Sequence, residues 1–138
     1  MNMAAKIAAE YLQGAGVKID QFGDDMEVIQ ARYSADNVDR VEVRLFFDED
    51  NRSVAVRSFN ICKVAESKKP AIYETCSKLN DKFRWVKFYV DEDDNTVTAA
   101  MDAIIQLDSC GEESKELILR TVGIVDDAYP ELMKALWA

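Results

Sequence analysis

Two stretches of alternating residues, joined by an acidic turn, constrain this fold more than any other part of the sequence. In the first stretch, Trp85–Asp91, apolar residues recur at Val86, Phe88 and Val90. The second stretch, Thr96–Ile104, follows a turn of Glu, Asp and Asn. A period of two is typical of a strand with one buried face, and Asp and Asn tolerate the positive φ angles of tight turns. The sequence therefore predicts a β-hairpin that needs cover on one face.

The rest of the chain supplies that cover and extends the sheet. Apolar residues at helical spacing predict helices over Met3–Gln13, from a cap at Ser67 to Phe83, and over Glu112–Trp137. β-favouring residues predict further strands over Met26–Tyr33, Asp39–Phe47 and Ser53–Ile61. The order α-β-β-β-α-β-β-α predicts an α+β fold, an antiparallel sheet with helices packed on one face.

Local signals define the ends of these elements. Asn2 is expected to cap the first helix and Ser67 the second, ahead of Pro70 in its first turn. Pro130 is expected to kink or restart the last helix, because proline cannot donate the intrahelical hydrogen bond. Gly16–Asp25 is interpreted as an extended link.

The two predicted hairpins resemble each other. VRLFFDED-NRSVAV (Val43–Val56) matches VKFYVDEDDNTVTA (Val86–Ala99) with one insertion. Turn chemistry alone produces such likeness between hairpins with acidic turns. The alternative is a pseudo-symmetric sheet.

Length and charge set the broad class. The 138 residues are expected to form one domain, 1–138. Acidic residues outnumber basic ones by 26 to 17, and the net charge of −9 argues against binding to nucleic acid or to an anionic membrane. No apolar run reaches the roughly 20 residues that span a bilayer. The odd set Cys62, Cys76 and Cys110 lacks C-x-x-C spacing, so we expect neither a disulfide framework nor a zinc site, and a cytoplasmic location.

No group of residues specifies a reaction. The chain has no histidine, which excludes a nucleophile–histidine pair, and its five glycines form no phosphate-binding motif. Carboxylates are frequent on turns and helix surfaces, where solvation accounts for them. We therefore expect no catalytic residue, no cofactor and no enzymatic activity.

The acidic turn permits one alternative. Asp91, Asp93, Asn95 and Asp102 fall at positions 1, 3, 5 and 12 of a calcium-loop frame. Position six is Thr96, where that loop needs glycine, and strands rather than helices flank the turn. A solvated hairpin tip is the better interpretation, and a Ca/Mg-dependent or small-molecule activity remains the alternative function.

A candidate binding surface lies on the predicted hairpin. Trp85, Lys87 and Tyr89 are expected on the sheet face away from the helices, and Phe46 and Phe59 on neighbouring strands extend the patch. Exposed aromatic residues of this kind usually mark a protein-binding or dimerisation surface.

A local basic run admits several interpretations. It comprises Lys63, Lys68, Lys69, Lys78, Lys82, Arg84 and Lys87. It would suit an acidic partner or a second copy of the chain, or nucleic-acid bases stacked on Trp85 and Tyr89. Scattered surface lysines contribute little, so an ordinary solvated face is the simplest interpretation.

Some of these residues carry a family resemblance. The segment LNDKFRWVKFYVDEDDNTVTAAMDAII (Leu79–Ile105), together with AYPEL (Ala128–Leu132), resembles the YbjN domain family of bacteria, which is similar in fold to the type III secretion chaperones. The resemblance implies a small acidic cytoplasmic protein without enzymatic activity, described as a regulator of sensory transduction. Secretion chaperones of this fold are homodimers that bind an extended client segment along their sheets. That role is an analogy only, because fold does not fix function.

These observations give one leading hypothesis. The chain is expected to be a non-enzymatic protein-binding module, a regulator or chaperone-like adaptor that forms a homodimer and binds a protein partner or client polypeptide through its sheet face. The residues expected to carry this role are Phe46, Phe59, Trp85, Lys87 and Tyr89.

Overall fold

The computed structural model describes residues 1–138 and contains three helices and six strands. The helices are α1 (Met3–Gly14), α2 (Lys69–Lys82) and α3 (Cys110–Trp137), with a 3₁₀ turn at Glu66–Lys68 before α2. The strands are β1 (Ile19–Phe22), β2 (Val28–Tyr33), β3 (Val41–Phe47), β4 (Ser53–Ser58), β5 (Lys87–Asp91) and β6 (Thr96–Ile104). The predicted α+β class and element order are confirmed, and the segment interpreted as an extended link adds the short strand β1.

All six strands form one antiparallel sheet with the order β1-β2-β3-β4-β6-β5. Strands β1 to β4 form a meander, and β6 joins its edge at β4 with β5 outermost. Leu45 of β3 lies opposite Ile29 and Val56, and Val56 lies opposite Met101. This register aligns the apolar side chains of four strands in one row, so that one sheet face is continuously hydrophobic.

The helices cover that face only. Strands β3 and β4 alternate strictly between buried and half-exposed residues, as a sheet with one covered face requires. Helix α3 packs on β3 and β4, α1 packs on α3 and on the β1–β2 side, and α2 packs on β5 and α3. Buried residues from all three helices and from the sheet form one core cluster. The predicted placement of the helices on one face is confirmed.

Both hairpin turns use the predicted chemistry. Asn51 and Asn95 adopt left-handed backbone conformations, with φ of 58° and 57°. In each turn the preceding aspartate, Asp50 or Asp94, accepts a hydrogen bond from the amide that follows the asparagine. These bonds fix the tight turns locally, which explains why the two hairpins resemble each other in sequence.

The helix ends agree with the sequence in part. The Asn2 side chain accepts a hydrogen bond from the Ala5 N–H at 2.9 Å, so the predicted cap of α1 is confirmed. The predicted cap at Ser67 is wrong, because Ser67 lies inside the 3₁₀ turn and α2 follows from Lys68 without a side-chain cap. Pro70 occupies the first turn of α2 as predicted.

Helix α3 is longer and more continuous than the sequence predicts. It begins at Cys110, two residues before the predicted start, and contains Pro130 without restarting. Ala128 and Leu132 are fully buried on either side of the proline. Their packing against the core holds the helical path, and this burial outweighs the missing proline hydrogen bond.

A close contact between α1 and α3 depends on one glycine. A Cβ atom at Gly111 would lie 2.4 Å from Cβ and 2.6 Å from Cγ of Tyr11. We expect Gly111→Ala to destabilise the protein by about 1–3 kcal/mol, since overpacking forces neighbouring groups apart. Urea unfolding followed by circular dichroism measures the change.

Gly123 of the same helix is the matched control. Nothing lies within 4 Å of a Cβ atom at this position. Gly123→Ala should therefore stabilise the protein by about 0.5–1 kcal/mol, because alanine loses less backbone entropy in a helix. Equal effects of the two substitutions would contradict the contact with Tyr11.

Candidate functional site

The face of the sheet opposite the helices carries a compact group of aromatic residues around one arginine. We call this group, Phe22, Arg44, Phe46 and Phe59, the aromatic sheet face. The Arg44 guanidinium lies 5.5 Å from the centroid of the Phe22 ring and 6.0 Å from that of Phe59. The Phe46 and Phe59 rings meet edge to face with centroids 6.2 Å apart. Such aromatic pairs and cation–π contacts stabilise a surface group in one arrangement.

Arg44 differs from the other arginines of this face in its electrostatics. Arg32 and Arg57 form ion pairs with carboxylates of neighbouring strands. Arg44 instead donates from Nε to the Gln30 Oε1 atom at 2.6 Å and has no carboxylate within ion-pair distance. Its charge is therefore not compensated within the chain.

The structure brings together two of the five predicted site residues and leaves a third on the same face. Phe46 and Phe59 are in direct contact. Tyr89 of β5 lies opposite Thr98 and is 45% exposed. The predicted patch thus has an aromatic centre on β3 and at the end of β4, and an outlying tyrosine on the edge strand.

Lys87 has a local structural role. Its ammonium group donates to the carbonyls of Asn80 and Phe83, both at 2.7 Å. These carbonyls belong to the C-terminal end of α2, where free acceptors and the helix dipole favour a cation. Lys87 therefore ties the start of β5 to the end of α2.

Trp85 lies away from the aromatic sheet face. The strand predicted over Trp85–Asp91 begins at Lys87, and Trp85 occupies the bend before it. The Arg120 guanidinium of α3 lies 5.0 Å from the centroid of the Trp85 ring. The prediction that Trp85 shares a face with Tyr89 is wrong, because strand alternation starts only after this bend.

Trp85 instead borders a groove between the end of β6 and the first half of α3. This edge groove has a volume of about 660 Å³. Its lining consists of Trp85, residues 101–104 of β6, and Glu112, Glu113, Glu116, Leu117 and Arg120 of α3. Half of these side chains are apolar, and Ile104 is 86% exposed at the rim.

Asn80 closes the outer edge of β5. Its side-chain Oδ1 accepts from the Phe88 N–H at 2.7 Å, and its Nδ2 donates to the Phe88 carbonyl at 3.1 Å. One amide side chain thereby satisfies the donor and the acceptor that an edge strand presents. This pair, with Lys87, anchors α2 beside the sheet.

Replacing Asn80 tests this edge protection. Asn80→Ala should reduce the free energy of unfolding by about 1–2 kcal/mol, because two hydrogen bonds to Phe88 are lost. Hydrogen exchange at the Phe88 amide should accelerate in the same variant. Asp81→Ala, at the exposed neighbouring position, is the control, and an equal loss there would contradict the role given to Asn80.

The carboxylates proposed as a cation site are not gathered in space. Asp91 accepts a hydrogen bond from the backbone amide of Asp93, within the turn itself. Asp102 lies near the far end of β6, where it pairs with Arg57 at 2.8 Å. No group of three or more His, Cys, Asp or Glu side chains is arranged to hold a metal ion.

Glu92 of the same turn binds to α2 rather than to a ligand. Its carboxylate accepts hydrogen bonds from Lys69, at 2.8 Å, and from the Tyr73 hydroxyl. These two bonds, the one from Lys69 above all, lower the pKa of Glu92. The acidic turn therefore has a structural contact with the second helix.

The three thiols are unreactive by environment. Burial raises the pKa of Cys62 to about 11, with a smaller contribution from the neighbouring Cys76, and burial raises the pKa of Cys76 to about 11 as well. Burial also raises the pKa of Cys110. A thiol acts as a nucleophile in its deprotonated form, so none of the three is prepared for catalysis at neutral pH.

Sequence reasoning missed two central residues of the aromatic sheet face. Phe22 lay in the segment interpreted as a link, although a residue two positions after Asp20 and just before Gly23 fits the end of a short strand. Arg44 alternates with Val43 and Leu45, a pattern that predicts only that Arg44 faces away from the core. Its position between two rings depends on the pairing of β1 with β2, and of β2 and β4 with β3, in register, which no local pattern reveals.

Comparison with known proteins agrees with this fold. A profile of the family YbjN, described as "Putative bacterial sensory transduction regulator", matches residues 7–136. The chain belongs to the YbjN family. The matched range includes the whole sheet, all of α2, and most of α1 and α3.

Two solved structures share the fold at low sequence identity. YbjN, described as "a putative transcription regulator from E. coli", is 11% identical and superimposes with a TM-score of 0.60, covering 87% of both chains. A chain of the heterodimeric ExoU–SpcU complex from the type III secretion system of Pseudomonas aeruginosa is 13% identical, with a TM-score of 0.53, covering 92% of this chain and 95% of that one. A comparison with curated protein sequences gives no significant match. None of the helices has the length and apolar character that crossing a bilayer requires.

Proposed function

We propose that this YbjN-family protein is a non-enzymatic adaptor that binds a polypeptide partner through the aromatic sheet face. The single observation that carries this proposal is the arrangement of Arg44 between Phe22 and Phe59 on a sheet face that no helix covers. Arginine and aromatic residues are the types that dominate binding energy in protein interfaces. Contacts within the group restrict its side chains before binding, which reduces the side-chain entropy that binding costs.

The charge of Arg44 defines the chemistry of the partner. The guanidinium has no carboxylate partner within the chain, and its flanking rings are apolar. A partner segment with a carboxylate beside apolar side chains would complete the ion pair and bury the rings. We therefore propose an acidic, apolar polypeptide as the partner.

Several observations support a binding role over a catalytic one. The family is described in terms of regulation, and one structure with this fold belongs to a heterodimeric complex. The three thiols are free and protonated at neutral pH, and the acidic turn is held by hydrogen bonds of its own. Free cysteines also suit a reducing compartment, so we propose a cytoplasmic location.

Substitution of an exposed ring tests the binding surface. Phe59→Asp should remove the partner, because an aspartate there removes an apolar ring, supplies Arg44 with a carboxylate from its own chain, and repels an acidic segment. The measurement is affinity capture from the source bacterium with quantitative mass spectrometry, comparing the wild type with the variant. We expect the captured partner to fall by about tenfold or more, as for an interface hot spot.

Leu119→Asp is the matched control. Leu119 lies on α3 and is 43% exposed, as Phe59 is, so both variants place one new charge at an equally exposed position. The partner should remain bound to the Leu119→Asp variant. Equal loss from the two variants, or retention by Phe59→Asp, would refute the proposed surface.

We also propose that two copies associate through the same face when no partner is present. Exposed aromatic groups favour such association. Light scattering should then give about twice the chain mass of 15.6 kDa, and Phe22→Asp should return the protein to the mass of one chain. A wild type that remains monomeric at millimolar concentration would contradict this dimer without affecting the partner test.

A further inference from the structure

The outer edge of β6 is paired along only part of its length. Strand β5 pairs with β6 from Asp91–Thr96 to Lys87–Ala100 and ends there. Strand β6 continues to Ile104 and keeps β4 on its other side throughout. The last four residues of β6, 101–104, therefore have a neighbouring strand on one side only.

The backbone of this segment presents hydrogen-bonding groups to the open side. The Ile105 N–H donates to the Arg52 carbonyl at 2.9 Å, on the β4 side. Because successive residues of a strand direct their peptide groups to opposite edges, Asp102 and Ile104 direct theirs outward. At β5 the equivalent groups of Phe88 are occupied by Asn80, whereas no bond from another element reaches Asp102 or Ile104 on this side.

The open edge forms one wall of the edge groove. Trp85, Ile104 and Leu117 contribute apolar surface, and α3 forms the opposite wall. A volume of about 660 Å³ lies within the range of about 300–1,000 Å³ that is usual for binding clefts. The groove thus combines an apolar lining with an unpaired strand edge.

The charge of the groove is negative. Asp102, Glu112, Glu113 and Glu116 line it, against the single cation Arg120. Arg120 is already paired with Glu116 at 2.9 Å and lies against the Trp85 ring. Asp102 is paired with Arg57 outside the groove, so the surplus negative charge rests on Glu112 and Glu113. It favours a basic occupant, opposite in sign to the partner proposed for the aromatic sheet face.

The geometry points to the edge groove as a site that takes an extended strand from a basic, apolar polypeptide, which pairs with β6 at Asp102 and Ile104. Addition of a strand to a free sheet edge derives affinity from main-chain hydrogen bonds and selectivity from the alternating side chains. This inference goes beyond the proposed function, because it concerns a second surface with a different partner chemistry.

The test uses a fluorescein-labelled peptide of eight alternating lysine and valine residues and the full-length protein. Fluorescence anisotropy should show saturable binding of this peptide. The corresponding glutamate–valine peptide should bind with an affinity at least about tenfold lower. Methylation of four consecutive central amides of the lysine–valine peptide removes donors from both of its edges. This probe should also bind about tenfold more weakly, since main-chain hydrogen bonds are lost.

Hydrogen exchange identifies the pairing directly. The lysine–valine peptide should slow exchange at the Asp102 and Ile104 amides and leave the Phe88 amide unchanged. Ile104→Lys should weaken binding about tenfold or more, whereas Leu119→Lys, which introduces the same charge on the outside of α3, should not. Ile104 is 86% exposed, so its replacement leaves the core intact.

Three outcomes would overturn the inference. These are equal binding of the methylated peptide, unchanged affinity of the Ile104→Lys variant, and binding of the apolar dye anilinonaphthalene sulfonate in the groove without any binding of the peptide. The Phe59→Asp variant should bind the peptide as the wild type does. The peptide assay therefore tests only the edge groove, and affinity capture tests the aromatic sheet face, so either proposal can be refuted without the other.

Discussion

The burial of one sheet face beneath all three helices is the constraint on which the rest of this structure depends. Leu45, Val56 and their neighbours in register form a continuous apolar row, and every helix uses its apolar side to cover it. The opposite face is left to stabilise itself through ion pairs and through the contacts of Arg44 with aromatic rings. A fold with helices on one face thus leaves the other face of the sheet free for other molecules.

The outward peptide groups of Phe88 in β5 have hydrogen-bond partners, whereas those at the end of β6 do not. At β5, the Asn80 amide occupies the outward peptide groups of Phe88, and the Lys87 ammonium binds the carbonyls at the end of α2. Along the last residues of β6 there is no pairing with β5, and no side chain binds the outward peptide groups in its place. An unprotected edge is a liability in a soluble protein unless it is short or used. The four residues of β6 without a partner strand on this side lie beside the apolar edge groove, as expected of an edge that is used for binding.

The acidic turn between β5 and β6 shows how a motif at the correct spacing can have a purely structural meaning. Asp91 and Asp94 hold backbone amides, Asn95 supplies the left-handed residue, and Glu92 reaches α2. The side chains that a cation would require do not converge, since Asp91 holds a backbone amide of the turn and Asp102 is paired with Arg57 far along β6. Two carboxylates close in sequence form a metal site only if the backbone brings them together, and the antiparallel hairpin separates Asp102 from the turn.

The sequence by itself determined the α+β class, the turns at Asn51 and Asn95, the cap at Asn2 and the buried alternation of β3 and β5, because these depend on neighbours within a few residues. It also carried the family resemblance, which residues 7–136 confirm. Tertiary structure decided what depends on distant partners. Packing of Ala128 and Leu132 carried α3 through Pro130, and the bend before Lys87 moved Trp85 from the sheet face to α3. The pairing of β1 placed Phe22 beside Arg44, and the early end of β5 left β6 open. A period of two predicts which face a side chain takes, but only while the strand lasts, and the ends of strands are set by contacts that no local pattern contains.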